Sequence, residues 1–252
     1  MSSSFSTIKP QGIVPKKSMG QNFLIDNNIV KKIIETSQIK QNDIIVEIGP
    51  GTGILTKELA LKAKKVIAIE KDEKLASNLK IKNVKVIAGD ALNIVHKIKG
   101  EYKVVANIPY YLTSFLIRTL LELDNKPKDI VLLIQKEVAQ RICSSKNTIL
   151  SLSVNYYGKA QIIDYVSRNC FYPKPKVDSA IIKITLNKEK RNDELFKLIK
   201  KGFSHPRKTL INNLKDKRIE DFLTSRGLSK KARPEELNIN DWTQLKLFLQ
   251  RK

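Results

Sequence analysis

Short continuous apolar runs recur along most of the chain, and between them the apolar positions fall three and four residues apart. The first pattern is that of a strand buried on both faces, and the second that of an amphipathic helix. Strands are predicted at 44–48, 66–70, 84–88, 104–107 and 130–134, with two last strands at 160–167 and 179–186. Helices are predicted near 53–63, 72–80, 113–123, 136–144 and 148–157. An earlier helix, 26–38, carries Ile29, Val30, Ile33 and Ile34 at helical spacing, and Asp26 or Asn27 can cap it. Such alternation argues for an α/β fold with a parallel sheet covered on both faces. Ligands of such sheets bind beyond the carboxyl ends of the strands.

After Leu186 the texture changes. A charged linker, Asn187-Lys188-Glu189-Lys190-Arg191-Asn192, leads into helical segments near 193–203, 206–216, 218–225 and 241–250, punctuated by Gly227 and Pro234. Three regions are therefore expected: a flexible arm over 1–17, a sheet domain over 18–187, and a small helical domain over 188–252. The last carries 18 Lys/Arg against 9 Asp/Glu, a net +9 in 65 residues, whereas the other 187 residues carry +13. The whole chain has 47 basic and 25 acidic residues, a net charge of +22. One reading is a basic surface that only keeps the chain soluble. The other is a polyanionic partner, because each neutralised phosphate releases condensed counterions.

Other classes recede. No apolar run approaches the ~18 residues that span a bilayer, so no membrane partner is expected. Met1 to Phe5 lack the apolar stretch of a secretory leader. Two cysteines, Cys143 and Cys170, with two histidines, His96 and His205, offer no CxxC and no metal-ligand spacing. Neither a disulfide framework nor a metal is expected, and a reducing cytoplasm is the expected location. No extra interface helix stands out, so a monomer is the default.

The candidate chemistry gathers at the strand ends. Glu47-Ile48-Gly49-Pro50-Gly51-Thr52-Gly53 closes the first strand. Glycines at alternate positions let backbone approach a ligand closely, although an ordinary tight turn needs them too. The spacing is GxGxG, whereas a dinucleotide fingerprint is GxGxxG. Glu47 beside it would repel a pyrophosphate but suits a cation, which points to S-adenosylmethionine and away from a nicotinamide dehydrogenase. Glu70 ends the second strand, where a carboxylate can accept two ribose hydroxyls or merely be solvated. Asp90 ends the third, where it can accept an adenine amine or cap the following helix. Asn107-Ile108-Pro109-Tyr110 ends the fourth. An exocyclic adenine amine is a poor nucleophile, since its lone pair is delocalised into the ring. An Asn oxygen and a neighbouring carbonyl can accept its N–H bonds and stabilise the developing positive charge. Tyr110 offers a stacking face; the plainer reading is an Asn-Pro turn with a core tyrosine. Farther on, Phe171-Tyr172-Pro173-Lys174-Pro175-Lys176-Val177 is a stiff loop, readable as a second stacking wall with phosphate-contacting Lys174 and Lys176, or as a rigid connection.

Taken in order with Lys17-Ser18-Met19-Gly20-Gln21-Asn22-Phe23-Leu24 and Gln135-Lys136-Glu137-Val138-Ala139, these motifs resemble the ribosomal RNA adenine N6-dimethyltransferase family of the KsgA/Dim type, over roughly residues 16–215. The resemblance implies a Rossmann-like methyltransferase domain plus a small helical domain. It implies S-adenosylmethionine contacts by Asn22, Leu24, Gly49, Glu70, Asp90 and Asn107, beside which Glu47 and Gly51 are expected. It implies that Tyr110 and Phe171 sandwich the target adenine, and Asn107, Pro109, Tyr110 and Phe171 are the expected catalytic residues. Macrolide-resistance methyltransferases of the large-subunit RNA share many of these landmarks. Arg207-Lys208-Thr209-Leu210 with Asn212-Asn213-Leu214 resembles the small-subunit enzymes, which makes Arg207 and Lys208 expected RNA contacts. The implied activity is dimethylation of two adjacent adenines near the 3′ end of 16S rRNA during small-subunit maturation. A large-subunit methyltransferase, or an idle RNA-binding assembly factor on the same fold, is the alternative. Two departures from the family pattern, His205-Pro206 and Phe115 in place of a frequent proline, fall outside every expected contact.

Overall fold

The structure is a computed structural model that describes residues 12–250; of the arm expected over 1–17, residues 1–11 lie outside the described residues. The elements run β1 (Phe23–Leu24), α1 (Asn27–Ser37), β2 (Ile44–Ile48), α2 (Ile54–Lys62), β3 (Lys65–Glu70), α3 (Glu73–Asn78), β4 (Val84–Ala88) and α4 (Ala91–Ile94). They continue with β5 (Lys103–Asn107), α5 (Thr113–Glu122), β6 (Asp129–Gln135), α6 (Lys136–Ile142), α7 (Ile149–Tyr157), β7 (Gly158–Val166), β8 (Phe171–Tyr172) and β9 (Ser179–Leu186). The last four are α8 (Asp193–Gly202), α9 (Leu210–Leu214), α10 (Ile219–Ser225) and α11 (Ile239–Gln250). Among the described residues, no helix is long and apolar enough to cross a membrane.

Seven strands form one sheet in the order β4-β3-β2-β5-β6-β9-β7. The pairs β4–β3, β3–β2, β2–β5 and β5–β6 are parallel. The sheet is not wholly parallel as expected: β9 runs antiparallel to β6, from Asp129↔Thr185 to Gln135↔Ser179. An apolar run such as Ala180–Ile182 is buried whichever way it points, so its pattern carries no direction. The strand order reverses at β2, which has β3 on one side and β5 on the other. That reversal opens a crevice at the carboxyl ends of β2 and β5, where ligands of open α/β sheets bind. The pair β1–β8, with Leu24 opposite Phe171, escaped the sequence reading because two residues show no period.

Local chemistry explains the boundaries. The Asp26 carboxylate accepts the Asn28 and Ile29 amides at 2.8 and 3.4 Å and so starts α1. Val30, Ile33 and Ile34 on that helix are buried in the core with Ile45 and Val131, each contributing ~1.5–3 kcal/mol by leaving water.

The chain divides into two compact units. Among the described residues, the first holds 12–140 together with Lys159–Leu186, and the second holds Arg141–Gly158 together with 187–250. α7, read in the sequence as part of the sheet domain, thus belongs with the C-terminal helices. Tyr157 stacks on Phe196 of α8 with ring centroids 5.8 Å apart. Just ahead of α7, the Asn147 side chain donates to the Leu237 carbonyl at 3.0 Å. Both partnerships join residues far apart in sequence, which periodicity cannot register. Within the second unit the helix expected over 206–216 shortens to α9, because residues from Ser204 form a turn closed by Lys208 N–H on the His205 carbonyl.

Candidate active site

The glycine-rich turn after β2 is shaped by what it must approach. Gly51 has φ +57°, and a Cβ there would sit 3.0 Å from the Phe23 ring. Its N–H donates to Glu70 Oε2 at 3.0 Å, while Glu70 Oε1 accepts the Asp72 N–H at 2.9 Å. The carboxylate that ends β3 is therefore fixed by two backbone donors, and each oxygen keeps acceptor capacity for a ligand.

Glu47 stands near the end of β2 with 1% of its surface exposed. Burial pushes its carboxyl up to about 8; the Thr56 hydroxyl offsets part of this and the Glu70 charge adds to it. Neither Glu47 Oε2 nor Thr56 Oγ1 meets hydrogen-bond geometry with any partner among the described residues. An acidic oxygen buried at a cavity wall without a donor fits a ligand that brings positive charge.

Asn107 ends β5, and its Nδ2 donates to the Asn22 carbonyl at 3.3 Å. A carbonyl can only accept, so this contact fixes which end of the amide is NH2 and leaves Oδ1 as an acceptor. Asn22 belongs to a strap, residues 16–24, pinned at several points. Lys16 pairs with Asp72 at 2.8 Å, Gln21 donates to the same carboxylate at 3.2 Å, and Leu24 pairs with β8. Lys16 holds the Asp72 carboxyl below the usual range. Beyond Asn107, Tyr110 is anchored by a 2.7 Å hydrogen bond between its hydroxyl and Ser179 Oγ, and burial raises its phenol pKa.

Of the residues expected at the site, Glu47, Gly49, Gly51, Glu70 and Asn107 line a single cavity, walled by Asn22 and Leu24 of the strap and by Pro109 and Tyr110. Tyr110 also lines a second cavity, whose rim carries Lys17 and the exposed Lys174 and Lys176. Asp90 lies on an adjoining cavity that shares Gly49, Glu70 and Pro109 with the first. Both readings of Asp90 meet here: its Oδ1 caps α4 through the Leu92 N–H at 3.0 Å, and its Oδ2 pairs with Lys71 at 2.9 Å. That lysine holds the Asp90 carboxyl below its usual range. Arg207 and Lys208, on the second unit, are exposed in the turn before α9.

Phe171 departs from expectation. It is 3% exposed, sits in the core cluster with Val166 and Ile181, and lines none of the described cavities. Its register partner Leu24 reaches the cavity in its stead, so the second stacking wall is not presented in this structure. Phe115, expected to lie away from every contact, instead lines the Asp90 cavity beside Tyr111. The sequence reading also missed Asp72 as the anchor of the strap and Ser179 as the anchor of Tyr110. A serine at the head of the apolar run Ser179-Ala180-Ile181-Ile182 was a signal for the latter, since a buried hydroxyl needs a partner.

The profile of the ribosomal RNA adenine dimethylase family matches residues 14–251. The chain belongs to that family. It is 37% identical over 252 residues to the ribosomal RNA small subunit methyltransferase A of Dehalococcoides mccartyi, covering 91% of this chain and 87% of the relative. It is 38% identical to the protein of that name from Mycoplasma capricolum, with 91% and 96% covered. Among solved structures, a dimethyladenosine transferase from Plasmodium falciparum superposes with a TM-score of 0.73 at 31% identity, covering 88% of this chain and 94% of that one. The 23S rRNA methyltransferase ErmE superposes with a TM-score of 0.74 at 26% identity, covering 91% and 100%. The expected Rossmann-like methyltransferase fold and rRNA adenine dimethyltransferase class therefore hold, and the dehydrogenase reading falls away.

Proposed function

We propose that this chain dimethylates N6 of two adjacent adenines in the 3′-terminal hairpin loop of 16S rRNA, using S-adenosylmethionine, during small-subunit maturation in the cytoplasm. The observation that carries this reading is the Asn107 amide, oriented by the Asn22 carbonyl in the same cavity as Glu47 and Glu70. S-adenosylmethionine supplies an electrophilic methyl group on a sulfonium. Glu47 offers its unpartnered oxygen to the ligand's cationic amine, and Glu70 accepts the ribose hydroxyls while its two backbone donors hold it in place. Asp90 accepts the adenine amine of the ligand in the adjoining cavity.

Tyr110, fixed by Ser179, gives the target base a face to stack on, a contact worth ~1–3 kcal/mol per base. Asn107 Oδ1 accepts an N–H of the target amine, which draws the lone pair out of the ring and stabilises the charge that develops there. No strong base is needed, because the methylated ammonium is acidic and gives its proton to water. After one transfer a single N–H remains for Asn107 to hold, so the same arrangement serves the second. Lys17, Lys174 and Lys176 at the rim, and Arg207 and Lys208 on the second unit, supply cations for RNA phosphates.

Methylation of large-subunit RNA is the second reading, favoured by the ErmE superposition. The small-subunit reading rests on the names of the curated relatives and on the Arg207–Leu210 segment. The test is incubation of the protein and labelled methyl donor with unmethylated small subunits and, separately, large subunits, followed by mapping. Dimethyladenine at two neighbouring small-subunit positions is expected; label confined to the large subunit, or none, overturns the proposal.

A further inference from the structure

Two large apolar side chains stand unusually bare beside the cavity that holds Asp90. Tyr111 is 56% exposed and Phe115, one turn later, is 65% exposed. The other residues of α5 that carry its packing, Leu116, Ile117, Leu120 and Leu121, are fully buried, so Phe115 is not spare core material. It stands in the first turn of that helix and lines a cavity together with Ile69, Gly89, Asp90 and Ala91. A cavity lined by the exposed rings of Tyr111 and Phe115 and by the Asp90 carboxylate suits a purine that carries an exocyclic amine.

We infer that Phe115 is a stacking residue for the adenine ring of the methyl donor, and that it sets the affinity of this chain for the nucleoside half of that ligand. The inference rests on the reading that places S-adenosylmethionine here, and it adds a contact that reading did not contain. Three observations carry it. This cavity is continuous with the one under the strap, since both are lined by Gly49, Glu70, Lys71, Pro109 and Tyr111. Glu70, the ribose acceptor, is common to both, so a nucleoside held there must send its base toward one of them. The cavity lined by Phe115 offers that base an exposed aromatic ring together with the Asp90 carboxylate as an acceptor.

The experiment measures binding of S-adenosylhomocysteine by calorimetry to the full chain, to Phe115→Ala, and to Leu61→Ala as an exposed-apolar control remote from the cavity. Phe115→Ala is expected to weaken binding about tenfold, as loss of a base–aromatic stack does, while Leu61→Ala leaves it unchanged. Free adenosine should lose affinity in the same proportion, and methionine none. A Phe115→Trp variant gives a second readout. The wild-type chain has one tryptophan, Trp242, which is buried, so added adenosine should change the fluorescence of the variant and leave that of the parent unchanged. Equal affinity in the wild type and Phe115→Ala overturns the inference. So does a variant that keeps its ligand affinity but loses RNA affinity, which would assign the ring to RNA. A wild-type chain that fails to bind S-adenosylhomocysteine fells the cofactor reading itself, a result distinct from either.

Discussion

Glu47→Gln tests the account at its most unusual atom. Burial penalises the Glu47 anion and pushes its carboxyl up to about 8 in the folded chain, against 4.5 for a glutamate in water. Between those values the native state keeps a proton that the unfolded state has lost. The stability linked to this group is therefore complete below pH 4.5 and is lost as pH rises to about 8. At ~1.4 kcal/mol per unit, the loss is on the order of 5 kcal/mol. Glutamine has the same shape and no proton to give up. In urea unfolding of the ligand-free protein, wild type and variant should have similar midpoints near pH 5, and the variant should be the more stable above pH 8. The same substitution removes the charge proposed to meet the ligand's amine. At pH 7 binding to the wild type should ionise Glu47 and release about one proton, read from how the calorimetric heat varies with the buffer's ionisation enthalpy. The variant should bind more weakly and lose that release. Parallel stability profiles from pH 5 to 9, with equal proton release, would refute the reasoning.

Asn107→Ala should cut methyl transfer by ~100-fold or more, the scale for losing one oriented group at a transition state, with a much smaller change in ligand affinity; unchanged single-turnover rates would refute its role. Glu70→Ala should weaken S-adenosylhomocysteine binding and also loosen the turn, since Gly51 and Asp72 both donate to it; calorimetry and amide hydrogen exchange at residue 51 read the two effects separately. Ser179→Ala removes the partner of the Tyr110 hydroxyl and should weaken RNA turnover more than ligand binding, while Ser179→Thr restores part of it. Replacing Arg207 and Lys208 together by Ala should lower RNA affinity and reduce the slope of log K against log salt by ~1.4, at ~0.7 per single-strand phosphate contact; an unchanged slope would remove the second unit from the RNA interface.

Most of the fold was legible because each strand of the parallel region is a short apolar run and each helix a periodic one. Strands β2 and β4 match their predicted bounds, and β3, β5 and β6 extend theirs by one or two residues. Direction was not legible, so β9 came as a surprise, and neither was the partnership of α7 with α8, which depends on Tyr157 meeting Phe196 across intervening strands. At the site, residues that end strands were found because strand ends converge by construction. Residues that act by contact alone left a weaker trace. Asp72 draws Lys16 and Gln21 onto the strap, yet in sequence it reads as a helix cap, which it also is through the Lys74 N–H. Phe171 shows the reverse case: its motif marks it, but its packing against the core decides where the ring lies.

A structure of the chain with S-adenosylhomocysteine bound tests the central claim most directly. The ligand's ribose is expected on Glu70, its amine at Glu47, its adenine against Phe115 beside Asp90, and its sulfur toward the Asn107 amide. A ligand seated elsewhere, or an Asn107 amide turned away from the sulfur, would contradict it.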